Sequence, residues 1–302
     1  MDARAEWPAL ASLLAAAVGR RVSFAGVLGR PRPGSVTWAA EAADLGEIVV
    51  KVRTGDRADE KTRWCATHLP LLGARGYPVP EILWHGPLDG DRYALVQRRV
   101  PGTPLRSLEP RLLERLLALV ELQADAGIDP GPRDFAAYAA NVLFDDWDHV
   151  WGDAARASRE AEALCARLRR WLQPVWGTEL PAPDFAHNDL NLTNVLVDRG
   201  TITGVVDWDE FGLNSRAADL AALAFDCERL VVTGSPGHRV AVEALLGRMA
   251  AIADEGAVRC HVGYRALTLV AALHRRGERE RVDAAVAAAN GLLARLTGSG
   301  AT

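Results

Sequence analysis

The chain has almost no lysine: Lys51 and Lys61 stand against 33 arginines among 302 residues. Cysteine is scarce as well, and Cys65, Cys165, Cys227 and Cys260 lie far apart with no CxxC spacing. That scattering argues against a disulfide framework and suits small buried residues in a reducing compartment, so a cytoplasmic location is expected. No apolar run reaches the roughly 18 residues that span a bilayer, so no membrane partner is expected. A basic surplus is missing too: the formal net charge of −4 leaves nothing to offset nucleic-acid phosphates. A secretory leader is not expected. Residues 8–18 are apolar, but Asp2 and Glu6 stand where a leader is positive. Leu10, Leu13, Leu14 and Ala17 share one helical face, which predicts a surface helix. No internal repeat and no low-complexity tract stands out. What remains, 49% hydrophobic and 25% charged, is ordinary for a globular enzyme of one large domain or two lobes.

The richest stretch is Asp184-Phe-Ala-His187-Asn188-Asp189-Leu-Asn-Leu-Thr-Asn194. An apolar strand at 195–197, a turn at 198–200 and a second strand ending in Asp207-Trp208-Asp209 follow it. Strands joined by a turn hold their end groups rigidly, so Asp189, Asn194 and Asp207 are expected to converge. Two carboxylates and a carboxamide suit a hard cation such as Mg2+. A base before the strand pair and metal ligands after it is the order used for phosphoryl transfer to a hydroxyl. His187 is expected as a buried hydrogen-bonding prop of the loop.

The spacing resembles that of the kinase superfamily, with an Asp, an Asn five residues on, and a metal-binding Asp after a hairpin. More narrowly, His187-x-Asp189-x-x-x-x-Asn194 with Val-Val-Asp207-Trp-Asp209 is similar to the aminoglycoside phosphotransferase family and its choline-kinase relatives. The resemblance implies an α+β, protein-kinase-like bilobal fold. Its small antiparallel-sheet N-lobe would cover residues 1–97, a hinge 98–104, and a larger, mainly helical C-lobe 105–302. It implies Asp189 as the base, Asn194 and Asp207 as Mg2+ ligands and a water-mediated metal contact from Asp209. ATP is the implied nucleotide, with GTP left open. Lys51, at the end of the apolar strand 48–51, would steady the phosphates, and lysine in an arginine-rich chain fits a need for the smaller head group. The family pairs this lysine with a helix glutamate. Glu60 is the only glutamate in the helix expected over 56–68, while alignment on Tyr77-Pro-Val-Pro80 puts Cys65 at that position. A glycine- and proline-rich turn over 26–35 offers the backbone of Gly34 and Ser35 to phosphates, or is a plain hairpin turn. Backbone groups of Arg98 and Val100 would meet the adenine edge. Asp219 resembles an aspartate that braces the family's catalytic loop, but is read first as an acid in an opening helical turn.

Strands are expected at 21–27, 36–42, 46–52 and 92–97. Helices are expected from residue 109 and over 133–147, 154–176, 217–230, 239–253, 259–275 and 280–296. Only eleven residues separate Asp207 from Asp219 and no Ala-Pro-Glu follows, so a peptide-docking segment is excluded and a small-molecule acceptor expected. A cationic antibiotic such as an aminoglycoside would need a lip of carboxylates. The candidates are Asp145, Asp146 and Asp148, then Asp226 and Glu228, and further off Asp254 and Glu255. A choline- or ethanolamine-type alcohol would need an aromatic cage, with Trp147, Trp151, Trp208 and Tyr264 as its walls. A third reading is an inactive nucleotide-binding regulator. It is disfavoured because a dead site has no need of Lys51, Asp189, Asn194 and Asp207 together. A monomer or weak dimer is expected.

Overall fold

The structure is a computed structural model that describes residues 3–32, 34–126 and 133–298; the side chains of residues 3–6 and 30–32 lie outside the description. Two compact units emerge. The first comprises Met1–Thr103, Leu196–Arg199 and Thr203–Asp209, the second Pro104–Val195, Gly200–Ile202 and Glu210–Thr302. The first unit therefore takes in much of a hairpin that lies far beyond residues 98–104 in sequence.

The first unit runs α1 (Ala3–Val18), β1 (Val22–Arg32), β2 (Ser35–Ala42), β3 (Gly46–Arg53), α2 (Ala58–Ala74), β4 (Ile82–Asp89) and β5 (Arg92–Arg98). The strands form one antiparallel sheet in the order β1-β2-β3-β5-β4. The β-branched run Ile48-Val-Val suits the central strand β3, where Ile48 and Val50 are fully buried. From α1, Leu10 and Leu14 are buried as the helical stripe predicted. Trp7 meets Phe24 and Trp38 at ring distances of 5.1 and 5.9 Å. Each such large apolar side chain removed from water contributes about 1.5–3 kcal/mol.

The expected turn over 26–35 is mostly strand. β1 reaches Arg32, which pairs with Ser35. Register shifts at Phe24/Gly26 and Leu28/Arg32 interrupt the ladder. Pro31 is tolerated because β1 is the outermost strand of the sheet.

The chain continues with β6 (Thr103–Pro104), α3 (Pro110–Glu121), α4 (Phe135–Phe144), α5 (Val150–Ala155), α6 (Arg159–Leu172), β7 (Asp184–Ala186), β8 (Val195–Asp198), β9 (Thr201–Val205) and β10 (Gly212–Asn214). Then come α7 (Ala217–Val232), α8 (Arg239–Ile252), α9 (Glu255–Arg275) and α10 (Arg279–Gly298). Pro110 opens α3 at the position where its missing N–H does no harm. Along α7 nearly every residue from Ala217 to Glu228 is buried, because α8, α9 and α10 all pack on it.

The helix expected over 154–176 is two. Ser158 breaks it, its hydroxyl accepting the Ala161 N–H to cap α6. The helix expected to reach 147 stops at Phe144. Asp146, Asp148 and His149 take φ values of 53°, 60° and 53°, which no right-handed helix accommodates.

The architecture is α+β, as expected: an antiparallel-sheet unit and a mainly helical one. No described helix is long and apolar enough to cross a membrane, and all four cysteines are free and buried.

Candidate active site

Lys51 and Arg53 lie two residues apart on β3, so both side chains leave the same face. The Lys51 ammonium is 2.5 Å from Asp207 Oδ1 and 2.5 Å from Asp209 Oδ2. Arg53 donates to Asp209 Oδ1 at 2.6 Å, to Thr62 Oγ1 at 3.2 Å and to Cys65 Sγ at 3.7 Å. Cys65 in turn donates to the Trp208 carbonyl. Asp207 adopts φ +65°, a left-handed conformation that Asp tolerates better than most residues. Trp208 is buried, donates to Val205 O at 2.8 Å and packs edge-on against Tyr77. Burial alone would raise the Asp209 carboxyl, but the cations of Lys51 and Arg53 outweigh it and hold it well below the ordinary carboxylate range.

One expectation is corrected here. Glu60 does not pair with Lys51: its carboxylate takes Arg57 at 2.6 Å on the half-exposed face of α2. The helix offers Thr62 and Cys65 inward, and Arg53 occupies them. Asp209, expected to reach a metal through water, has an ion pair at each oxygen, with Lys51 at one and Arg53 at the other.

The backbone groups expected to meet the nucleotide differ in their bonding. Gly34 (φ +76°) forms the turn, and its carbonyl accepts the Thr54 N–H at 2.9 Å. Ser35 pairs with Arg53 in the sheet. The N–H of Arg98 goes to Glu81 O and that of Arg99 to Glu47 O. The Val100 N–H has no backbone acceptor among the described residues.

In the second unit the loop after β7 is fixed by its backbone. Asp219, fully buried in the first turn of α7, accepts the N–H groups of His187 and Asn188 at 2.8 Å each, and Gln123 Nε2 at 2.8 Å. It braces the loop as well as opening the helix, so the role implied by resemblance prevails. Burial dominates its charge and raises its pKa. Asn188 sits at φ +64°. Its amide donates to Ala186 O and Glu210 O, and its oxygen accepts Asn214 Nδ2. His187 is buried, and its Nδ1 accepts the Asp189 N–H at 3.3 Å.

The Asp189 carbonyl takes the amides of Asn191 and Asn194 at 3.1 and 2.9 Å. Its carboxylate Oδ1 takes Arg265 Nη1 at 2.7 Å. Burial would raise this carboxyl, but Arg265 and then His187 outweigh it and lower its pKa, so Asp189 is ionised at neutral pH.

The proposed acceptor carboxylates are mostly committed. Asp226 is buried and accepts the Leu192 N–H at 3.0 Å; Glu228 is buried against Arg295 at 3.1 Å. Neither is a solvent-facing lip, because α7 is enclosed on its packed faces. Asp146 Oδ1 caps Trp151 N–H, and Asp148 Oδ2 accepts the Tyr138 hydroxyl at 2.8 Å. Burial, then that carboxylate, pushes the Tyr138 pKa up to about 12. Asp145 ends α4, and Asp254 caps α9. Of the suggested cage, Trp151 and Trp208 are core residues. Tyr264 packs edge-on against Phe135, and Trp147 is exposed.

Among the described residues no group of three or more His, Cys, Asp or Glu is placed to hold a metal. The donor chemistry nevertheless suits Mg2+. Asn194 gives its Nδ2 to the Asp189 carbonyl, which leaves its Oδ1 free of that bond, and a carboxamide oxygen and a carboxylate are both donor types a hard cation takes. Sequence reasoning missed Arg53, Arg133 and Arg265. Arg133 lies over the Tyr138 ring at 3.9 Å and 3.4 Å from Glu210. Arg53 alone carried a signal: it shares a face with Lys51 in an apolar strand, which calls for acids opposite.

A strand-borne lysine held on an Asp-Trp-Asp segment, and an Asp-x-x-x-x-Asn loop braced from a helix, are the features expected of a phosphotransferase. The chain belongs to the phosphotransferase enzyme family, whose profile matches residues 34–250. It is 28% identical over 205 residues to hygromycin-B 4-O-kinase of Escherichia coli. That match covers 60% of this chain and 57% of the relative, so the chain spans little more than half of the relative's length. Aminoglycoside phosphotransferase APH(4)-Ia, solved as a thermostable mutant with AMP-PNP and hygromycin B, superimposes with a TM-score of 0.66 at 18% identity over 97% of this chain and 99% of the other. APH(3'')-Id of Streptomyces rimosus gives 0.61 at 20% identity, covering 87% and 98%. The fold is shared with these enzymes.

Proposed function

We propose that the protein is an ATP-dependent O-phosphotransferase acting on a hydroxyl of a small molecule, an aminoglycoside or another antibiotic. The observation that carries this reading is the Asp189 loop. It presents an ionised carboxylate on a backbone tied down by Asp219, Asn188 and Asn194. Asp189 accepts the acceptor's hydroxyl proton as that oxygen bonds to the γ-phosphorus and the bond to the ADP oxygen breaks. Lys51 steadies the nucleotide phosphates by exchanging its contacts with Asp207 and Asp209 for theirs. Asn194 and Asp207 would hold Mg2+, which supplies neutralisation of phosphate charge. Residues 1–97, 98–104 and 105–302 are assigned as N-lobe, hinge and C-lobe, with the Val100 N–H at the adenine edge. The likeness to hygromycin-B 4-O-kinase supports an aminoglycoside acceptor. The burial of Trp151 and Trp208 speaks against a quaternary-ammonium cage.

The test is ADP release with Mg-ATP over aminoglycosides, peptide antibiotics, macrolides and choline-type alcohols. Stimulation by aminoglycosides is expected. Stimulation by amino alcohols alone would replace the acceptor assignment, and no stimulation by any would remove the reading.

A further inference from the structure

Among the neighbours of the Asp189 carboxylate, which include His187 and the Asn191 amide, Arg265 is the charged donor hydrogen-bonded to it, and the transfer scheme leaves that donor unused. Arg265 comes from α9, and its Nη1 lies 2.7 Å from Asp189 Oδ1, with the pair's side chains 14% and 27% exposed. A guanidinium has five N–H donors. Arg53 uses its donors on Asp209, Thr62 and Cys65, and Arg216 uses its own on Asp184 and Glu121. Among the described residues the Arg265 guanidinium makes a single hydrogen bond, the one to Asp189, and its Nε–H is buried with no acceptor. An arginine kept for cross-linking segments would use more of its fork.

The loop does not depend on it for shape. His187, Asn188 and Leu192 are held by their backbone N–H groups on Asp219 and Asp226, and the Asp189 carbonyl by Asn191 and Asn194. Those bonds fix main chain. The carboxylate plane of an Asp turns about a torsion with broad wells, so a fixed backbone leaves its two oxygens interchangeable. One charged donor on Oδ1 removes that freedom.

We propose that Arg265 is a positioning residue which holds Oδ1 of Asp189 so that Oδ2 faces the acceptor hydroxyl. The inference rests on the phosphotransferase reading above. In the transfer step the hydroxyl proton passes to Oδ2, the hydroxyl oxygen bonds to the γ-phosphorus and ADP leaves. Arg265 stays protonated throughout. Its other neighbours are Asp226 and Tyr264, which lie beside the guanidinium.

The test is a double-mutant cycle of Arg265→Met and Asp189→Asn, read as ADP release with an acceptor from the screen. Alone, Arg265→Met lowers kcat by about 10²-fold, the scale of a misdirected reacting group, with KM for ATP unchanged. Arg265→Lys, which keeps the charge, recovers part of the loss. In the Asp189→Asn background, Arg265→Met changes kcat by no more than about twofold, since the group it acts through is already gone. An equal loss in both backgrounds, a loss confined to KM for ATP, or wild-type turnover of Arg265→Met overturns the inference while leaving the enzyme assignment intact. Should Arg265→Met not fold, Arg265→Lys runs the same cycle under the same criteria. A wild-type chain that releases no ADP with any acceptor removes the assignment itself, and the inference with it.

Discussion

Asp209 is a largely covered carboxylate of the first unit and Asp219 a fully buried one of the second, and they are held in opposite ways. Asp209 has a cation on each oxygen, Lys51 on one side and Arg53 on the other. Among the described residues Asp219 accepts two loop N–H groups and the Gln123 amide, with the His187 ring as its charge partner. Charge wins at the first and its pKa falls; burial wins at the second and its pKa rises. The ion-pair cluster is an arrangement of side chains that an arriving polyanion can redistribute. The second site is a frame, in which a carboxylate organises main chain and no ligand is needed to complete the geometry. On the proposed reading, the first kind of support suits a group that meets a nucleotide, and the second suits a proton acceptor.

The contrast can be broken most forcefully at Asp189. Asp189→Asn leaves the frame intact and is expected to lower turnover by about 10²–10⁴ with Mg-ATP binding retained, as measured by ADP release and nucleotide titration. Arg53→Met acts on the other unit and on stability. It leaves Asp209 with Lys51 alone, and chemical denaturation should register a loss of about 3–5 kcal/mol, the range for removing one partner of a buried ion pair. An unchanged denaturation midpoint would mean that Lys51 suffices to hold the acid.

The two acids should also differ in sign against pH. Stability contributed by Asp209 is present above the ordinary carboxylate pKa of about 3.9 and is lost as pH falls through its lower folded value. The deficit of Asp209→Asn relative to wild type therefore narrows in acid. For Asp219 the contribution is present below the ordinary value and lost as pH rises through its higher folded value, so the deficit of Asp219→Asn narrows towards neutrality. Denaturation midpoints across pH separate the two, and parallel curves would contradict the contrast. The smallest effect belongs to Glu60→Ala. Its pair with Arg57 is exposed, so stability should move by no more than about 0.5 kcal/mol and KM for ATP not at all. A raised KM for ATP would restore Glu60 to the nucleotide site.

What the chain reveals before folding follows from how local each signal is. Lys51 stood out because lysine is rare here and ends an apolar strand; Asp189, Asn194 and Asp207 because one short segment holds all three. Arg265 is separated from Asp189 by 76 positions and is one of 33 arginines, so neither spacing nor composition marks it. Arg53 is equally camouflaged in composition, though its place beside Lys51 on an apolar strand was a readable hint. Glu60 misled because a glutamate at roughly the right distance was available, whereas the inward positions of α2 belong to Thr62 and Cys65. The acids at 226 and 228 misled for another reason: a helix with neighbours on several sides buries even its charged residues, provided each finds a donor. The left-handed run through Asp146, Asp148 and His149 broke a helix that apolar periodicity alone would have continued.

The scarcity of lysine has a practical chemical consequence. With only Lys51 and Lys61 in the chain, an amine-selective acylating reagent built on a nucleotide has two side-chain targets. Lys51 is sheltered on its strand, and Lys61 is only half-buried on α2. Covalent tagging mapped to the peptide around residue 51, and suppressed by excess nucleotide, would report occupancy without any acceptor being known.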